Sequence, residues 1–217
     1  MHKKAHTHAA KPKTEGNTLD GMAPFYDKFV QMLTLGKDKK TRLETISLAK
    51  IKPGEQVLEV GCGTGSLAIA AAQKVETKGA VFGIDPAPKM IEIAQRKTTK
   101  ANLLVEYRVG VIEDLPYPDN SMDIVLSSLM MHHLPDHLKT IGLIEVNRVL
   151  KPGGRLAIVE LDSSRFSLIN FVHGRITSEN RFALELKQLM LSNGFCEVEI
   201  KDMRYGSLTF LMGTKLS

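Results

Sequence analysis

The stretch VLEVGCGTG, Val57 to Gly65, constrains this chain more than any other. An apolar run that reads as a strand stops at three glycines in five positions, and an alanine-rich segment, Leu67–Lys74, follows with helical character. Strand, glycine turn and helix in that order open a ligand-binding βα unit. Such a turn can hold the phosphates of a dinucleotide, those of ATP, a nucleoside of another kind, or nothing. The rest of the sequence has to choose.

Punctuation and periodicity predict the surrounding elements. Apolar residues at Phe25, Phe29, Met32 and Leu33 recur at helical spacing from Pro24, and a second helix is expected over Lys39–Ala49. Strands are expected at Gln56–Val60, Ala80–Ile84, Leu103–Tyr107, Asp123–Ser127, Arg155–Leu161, Glu197–Asp202 and Ser207–Met212. Helices at Lys89–Thr98, Asp136–Val149 and Asn180–Ser192 fall between them, and Lys-Pro-Gly turns at Lys52 and Lys151 precede the first and fifth strands. Strands alternating with helices predict an α/β, Rossmann-like fold, with a mainly parallel seven-stranded sheet and helices on both faces. Only Met203–Gly206 separates the last two strands, too little for a crossover, so they should form an antiparallel C-terminal hairpin. Residues 1–20 read as a disordered basic tail, and residues 21–217 as a single domain whose residues 24–50 form N-terminal cap helices.

Charge and cysteine usage exclude several classes. The net charge is +5, of which the four lysines of residues 1–20, set against Glu15 and Asp20, account for +2. So weak a basic excess does not suggest a nucleic-acid partner. There is no apolar run of membrane-spanning length and no secretory leader pattern, and the cytoplasm is the expected compartment. Cys62 and Cys196, far apart in sequence, form neither a disulfide framework nor a metal motif, so no metal site is expected.

The glycine turn itself narrows the ligand. A P-loop needs a lysine after its last glycine to neutralise phosphate, but Gly65 is followed by Ser66, Leu67 and Ala68. The dinucleotide fingerprint GxGxxG is also missed, since Gly61, Gly63 and Gly65 are spaced GxGxG. Glu59, two residues before the first glycine, would repel a pyrophosphate and attract a ligand carrying an ammonium and a sulfonium. S-adenosylmethionine carries both and no phosphate. Asp85, ending the second strand, is placed to accept from ribose hydroxyls, as it could in NAD, and would repel the 2′-phosphate of NADP.

Taken in order, VLEVGCGTG, GIDPAPKMIEIAQRK, LPYPDNSMDIVLSSLMMHHL and VLKPGGRLAIVE resemble the motifs of class I S-adenosylmethionine-dependent methyltransferases. The resemblance runs from about Tyr26 to the C-terminus and looks most like the small-molecule branch containing the ubiquinone and menaquinone C-methyltransferases. It implies that Glu59, Gly61, Cys62, Gly63, Thr64 and Gly65 surround the methionine portion of the cofactor. Asp85 would hold the ribose, with Pro86, Met90 and Ile112 near the adenine and Ser128 just past the fourth strand. Tyr26, in FYDKF, resembles with Asp27 the YD pair with which such enzymes close an N-terminal helix over the cofactor. One position departs: Val111 stands where relatives carry an aspartate for the adenine amino group, which leaves that group to water or to Glu113.

The activity implied is methyl transfer to a small organic acceptor by in-line displacement. The motifs of amino-group and cytosine methylation are missing, with SSLM after the fourth strand and Cys196 outside a Pro-Cys loop. His133, following the fourth strand beside His132, is the candidate proton acceptor. In the segment 162–179, Phe166, Leu168, Ile169 and Phe171 could wall an acceptor pocket rimmed by Arg165, His173 and Arg175; its shortness relative to the quinone branch tells against a quinone. An RNA or protein methyltransferase, and an inactive cofactor-binding scaffold, remain as alternatives, and oligomeric state is not readable.

Overall fold

The computed structural model describes residues 14–16, 19–161, 181–205 and 207–216. Seven strands form one sheet: β1 (Gln56–Val60), β2 (Ala80–Asp85), β3 (Glu106–Val109), β4 (Met122–Ser128), β5 (Leu150–Leu161), β6 (Phe195–Asp202) and β7 (Leu208–Lys215). The order is β3-β2-β1-β4-β5-β7-β6. The first five are mutually parallel, and β7 inserts antiparallel between β5 and β6. Short polar turns can only return a chain antiparallel, which is why β6 and β7 pair as a hairpin.

Among the described residues six α-helices accompany the strands: α1 (Tyr26–Leu33), α2 (Asp38–Leu48), α3 (Ser66–Val75), α4 (Pro88–Lys100), α5 (Asp136–Val149) and α6 (Arg181–Ser192). Strand residues alternate between two cores. Val57, Ile124, Ala157 and Phe210 pack with residues of α2, α3 and α4 on one face. Leu58, Val125, Ile158 and Leu211 pack with residues of α5 and α6 on the other. Burial on both faces explains why the central strands read as continuous apolar runs rather than alternating ones. Three of the four alanines of α3 (Ala68, Ala71 and Ala72) are buried, and small side chains there let the helix lie close on the sheet.

Three strands start two or more residues away from expectation. β3 begins at Glu106, not Leu103, because the Leu103 amide is used to close the end of α4 on the Thr98 carbonyl and Leu104 is 94% exposed. β5 begins earlier: Leu150 pairs with Met122, Arg155 then pairs with Ile124, and the Lys151–Gly154 turn bulges out between these two pairs. β6 likewise starts at Phe195, with an irregularity between Cys196 and Glu199. The segment 162–179, where an acceptor wall was expected, lies outside the described residues, as does most of the basic tail. The chain moves outward from β1 through β2 to β3, then returns to the opposite side of β1 with β4. That reversal opens a crevice above the carboxyl ends of β1 and β4, the place where open α/β sheets take ligands.

Candidate active site

The loop Gly61–Gly65 leaves β1 with all three glycines at positive φ (67°, 51° and 73°). The Cys62 amide donates to the Ile84 carbonyl at 3.0 Å, and the Gly65 amide donates to the Cys62 carbonyl at 2.8 Å. The loop is thereby tied to β2 and delivers the chain into the N-terminus of α3, where Ser66 and Leu67 border the crevice. A side chain on Gly61 would run into Met130, with the Met130 Cγ 2.3 Å from the position of an added Cβ.

The crevice has two lobes that share Tyr26, Gly61 and Leu129. Gly63, Asp85, Pro86 and Met90 border the first, with Ile112, Glu113 and His133 opposite. Glu59, Cys62, Thr64 and Ser128 border the second. Twelve of the fourteen residues expected from sequence therefore converge with the shared Gly61 on one cleft; Gly65 does not line it and backs onto Tyr107 and Ala94.

Two carboxylates dominate the electrostatics. Glu59 is 3% exposed, and its Oε2 has no hydrogen-bond partner among the described residues. Burial pushes its pKa up to about 8, reinforced by Asp85 and offset in part by the Ala68 amide. Asp85 accepts the Gly63 amide at 2.8 Å on one oxygen and the Ala87 amide at 2.9 Å on the other. Its pKa is also raised, chiefly by burial. Each Asp85 oxygen keeps a second lone pair, so a satisfied carboxylate is still an acceptor. Glu113 holds the Thr14 hydroxyl at 2.6 Å on one oxygen and leaves the other buried without a hydrogen-bond partner among the described residues.

Tyr26 stands beside Gly63, its ring 3.4 Å from where a Cβ would sit. Burial, with Asp85 and Glu59 next in importance, raises its hydroxyl far above the ordinary range. Asp27 explains how α1 is held there. Its carboxylate accepts from the Thr64 hydroxyl at 2.6 Å and from Lys97 Nζ at 2.8 Å, and Lys97 also reaches Ser66 at 2.5 Å. Burial pushes the Asp27 carboxyl up, but its bonds to Lys97 and Thr64 win and lower it. Cap helix, glycine loop and α4 are thus joined by one polar latch.

After β4, His132 and His133 behave differently. His132 Nδ1 lies 2.6 Å from Glu160 Oε2, and the other Glu160 oxygen accepts the Met130 and Met131 amides at 3.1 and 2.7 Å. Glu160, only 1% exposed, anchors the loop that carries both histidines. His133 faces the first lobe with its pKa lowered by burial and by the neighbouring His132. Sequence reading marked Asp27 only as the second member of the YD pair and passed over Lys97 and Glu160. For Glu160 a signal existed, a carboxylate inside the apolar run RLAIVEL; for Lys97 there was none, since its partners Asp27 and Ser66 are distant in sequence.

A buried, unpartnered carboxylate beside a glycine turn and a second carboxylate at the end of β2 suit a ligand with an ammonium and a ribose, and reject a pyrophosphate. A methyltransferase-domain family model matches residues 58–158. Those residues, just under half of the chain, are similar to methyltransferase domains. It is similar to the demethylmenaquinone methyltransferase of Listeria monocytogenes, 36% identical over 140 residues, which span 64% of this chain and 58% of that protein. The corresponding protein of Symbiobacterium thermophilum is 28% identical over 228 aligned positions, 90% of each chain. Among solved structures, a putative S-adenosylmethionine-dependent methyltransferase from Methanococcus maripaludis shares the fold at TM-score 0.71 and 18% identity, covering 96% of this chain and 98% of that one. A methyltransferase from Aquifex aeolicus matches at TM-score 0.67 and 23% identity, with coverage of 81% and 89%.

The latch predicts a measurable effect. Asp27→Ala frees α1 from Thr64 and Lys97, so the closed cleft becomes a smaller share of the population and apparent cofactor affinity falls by roughly tenfold. Isothermal titration of S-adenosylmethionine against the variant and the parent checks this; unchanged affinity would show that the latch does not govern closure.

Proposed function

We propose that the protein transfers a methyl group from S-adenosylmethionine to a small, largely apolar organic acceptor. The observation that carries this reading is the pairing of Glu59 and Asp85 across one cleft, with a buried Glu59 oxygen left for a ligand donor. When bound, the cofactor would supply a methyl group already activated on a sulfonium, open to in-line displacement.

The chain's own residues then have four tasks. Glu59 pairs with the ammonium and Asp85 accepts from the ribose hydroxyls. Ile112 and Met90 enclose the adenine face, and Glu113 offers its free oxygen to the amino group. Tyr26, held by the Asp27 latch, excludes water from the junction between the lobes, so that acceptor and methyl meet in a dry, fixed geometry. His133, neutral to lower pH than an ordinary imidazole, takes the proton the acceptor loses. The names of the similar curated proteins favour an aromatic carbon acceptor of quinol type. Apolar residues Val30, Leu67, Leu129 and Leu208 around the Glu59 lobe fit such a ring. We place the reaction in the cytoplasm, where the free thiols Cys62 and Cys196 would stay reduced.

Incubation with methyl-labelled S-adenosylmethionine and fractionated extract tests the reading. Label should enter the small-molecule or lipid pool and be lost in Asp85→Ala; label in RNA or protein would overturn the acceptor class. With the acceptor in hand, His133→Ala should lower kcat by about 10²- to 10⁴-fold with little change in cofactor KM. In the parent, kcat should decline only below the usual imidazole range, because the lowered pKa keeps His133 unprotonated to lower pH. A His133→Ala variant with parental kcat would remove it from the chemistry.

A further inference from the structure

We propose that the outer face of the cap helices docks on an anionic lipid surface, and that the second lobe receives its acceptor from there. The docking stands on its own observations; its use to deliver the acceptor rests on the function proposed above.

Half of the exposed large apolar side chains among the described residues lie within residues 22–43. Phe25 (65% exposed), Phe29 (38%) and Met32 (66%) are spaced by four and three, which sets them on one stripe of the first helix and the turn leading into it. Leu35, at 81%, continues the stripe into the turn before α2, and Leu43 on α2 borders the same groove as Lys28 and Gln31. The opposite side of α1 is committed inward: Tyr26, Val30 and Thr34 border the lobe that holds Glu59. The helix is thus amphipathic with its apolar stripe facing outward, the reverse of a helix that merely packs on a core.

Charge identifies what the stripe meets. Residues 25–43 carry Lys28, Lys37, Lys39, Lys40 and Arg42 against Asp27 and Asp38. Both aspartates are already used, Asp27 by Lys97 and Asp38 by Arg42. All four lysines are exposed, and none makes an ion pair among the described residues. Lys40 alone has a ring contact, 5.5 Å over Tyr205. Aromatic and aliphatic side chains inserted at the headgroup level, flanked by exposed lysines, are what an anionic bilayer interface binds. A second copy of the chain is disfavoured, because a symmetric contact would set these lysines against one another. No helix among the described residues is long and apolar enough to cross a membrane, so the contact is peripheral.

The consequence is positional. The residues that would touch lipid and those that line the Glu59 lobe are opposite faces of one two-turn helix. Docking would set the lobe beside the apolar phase, where a lipid-soluble acceptor concentrates.

Co-sedimentation of the full-length protein with vesicles tests this. Phosphatidylcholine vesicles containing about one-third phosphatidylglycerol should bind at least about tenfold more protein than pure phosphatidylcholine, with binding weakened by salt. Phe25→Ser with Met32→Ser should lower the partition coefficient by about tenfold or more, and each of Lys28→Glu and Lys39→Glu by roughly fivefold. All variants should keep the parental melting temperature and cofactor affinity, since these side chains are exposed and outside the cleft. Equal binding to both vesicle types, or none, would overturn the proposal. So would a large fall in melting temperature for the serine variants, which would mean that the chain itself covers the stripe, or their conversion of a parental dimer to monomer. Turnover of a detergent-solubilised acceptor, measured alongside, separates failure of docking from failure of the proposed activity.

Discussion

Glu59→Gln is expected to bind S-adenosylmethionine at least about 100-fold more weakly than the parent while melting at a higher temperature in its absence. Both effects come from the same buried oxygen. With no cofactor, Glu59 has one unpartnered oxygen at the cleft floor and a pKa raised from about 4.5 to about 8 by burial. A raised folded-state pKa on a carboxyl group contributes stability that is present below the unfolded value and lost as pH rises through the folded one. The parent should therefore lose stability between about pH 4.5 and 8 from this group, each pKa unit being worth about 1.4 kcal/mol. Glutamine has the same shape and no charge to desolvate, so the variant should match the parent near pH 5 and exceed it at pH 8 by a few kcal/mol. At about 2–4 °C per kcal/mol for a chain of this size, differential scanning calorimetry resolves the difference. Equal melting at pH 8 would mean that Glu59 is not held in a low-dielectric site. A gain in stability from removing a charge is the signature of a residue kept for ligand and not for fold.

Gly65→Ala has the largest expected effect on the fold itself. Gly65 caps α3 at φ 73°, a conformation costing a residue with a side chain about 1 kcal/mol. Its added methyl would sit 2.4 Å from the Tyr107 hydroxyl and 2.8 Å from the Ala94 Cβ. Neither can retreat cheaply: Tyr107 is 8% exposed and shares a 2.9 Å hydrogen bond with Thr98, and Ala94 is fully buried against the sheet. Strain and overpacking together should cost about 3–5 kcal/mol, lowering the melting temperature by roughly 10 °C. Gly63→Ala makes a useful contrast. Its methyl would meet only the Tyr26 ring at 3.4 Å, ordinary contact, so the fold should lose about 1 kcal/mol while the cleft is partly filled. If both glycines destabilise equally, the division between a packing glycine and a cleft glycine is wrong.

That division also marks what sequence could carry. The fold was legible because its signals are local: apolar runs for strands buried on both faces, glycines where β1 turns into α3, and too short a link between β6 and β7 for anything but a hairpin. The cleft was legible for the same reason, since Glu59, Gly61, Gly63 and Asp85 sit at strand ends that the α/β topology must bring together. Failures occurred where a distant partner decided. Leu103–Val105 reads as a strand but closes α4, because the Leu103 amide takes the Thr98 carbonyl. Gly65 reads as one more cleft glycine, but Tyr107, far along the chain, stands behind it. His132 and His133 are adjacent and alike in sequence; only the carboxylate of Glu160, arriving from β5, separates a tethered imidazole from one facing the cleft. Asp27 and Lys97 are ordinary surface charges until α1 and α4 are brought together around Thr64.

Proton release on cofactor binding tests the central claim most directly. Calorimetric titration of S-adenosylmethionine at pH 7, in buffers of different ionisation enthalpy, counts the protons that leave. Glu59 with a pKa of about 8 enters the titration mostly protonated and must ionise to pair with an ammonium. The account predicts release of close to one proton per site, absent in Glu59→Gln, with affinity rising as pH is raised from 6 toward 8. Tight binding with no proton release, unaltered by Glu59→Gln, would show that this carboxylate does not hold the cofactor and would contradict the assignment of the cleft.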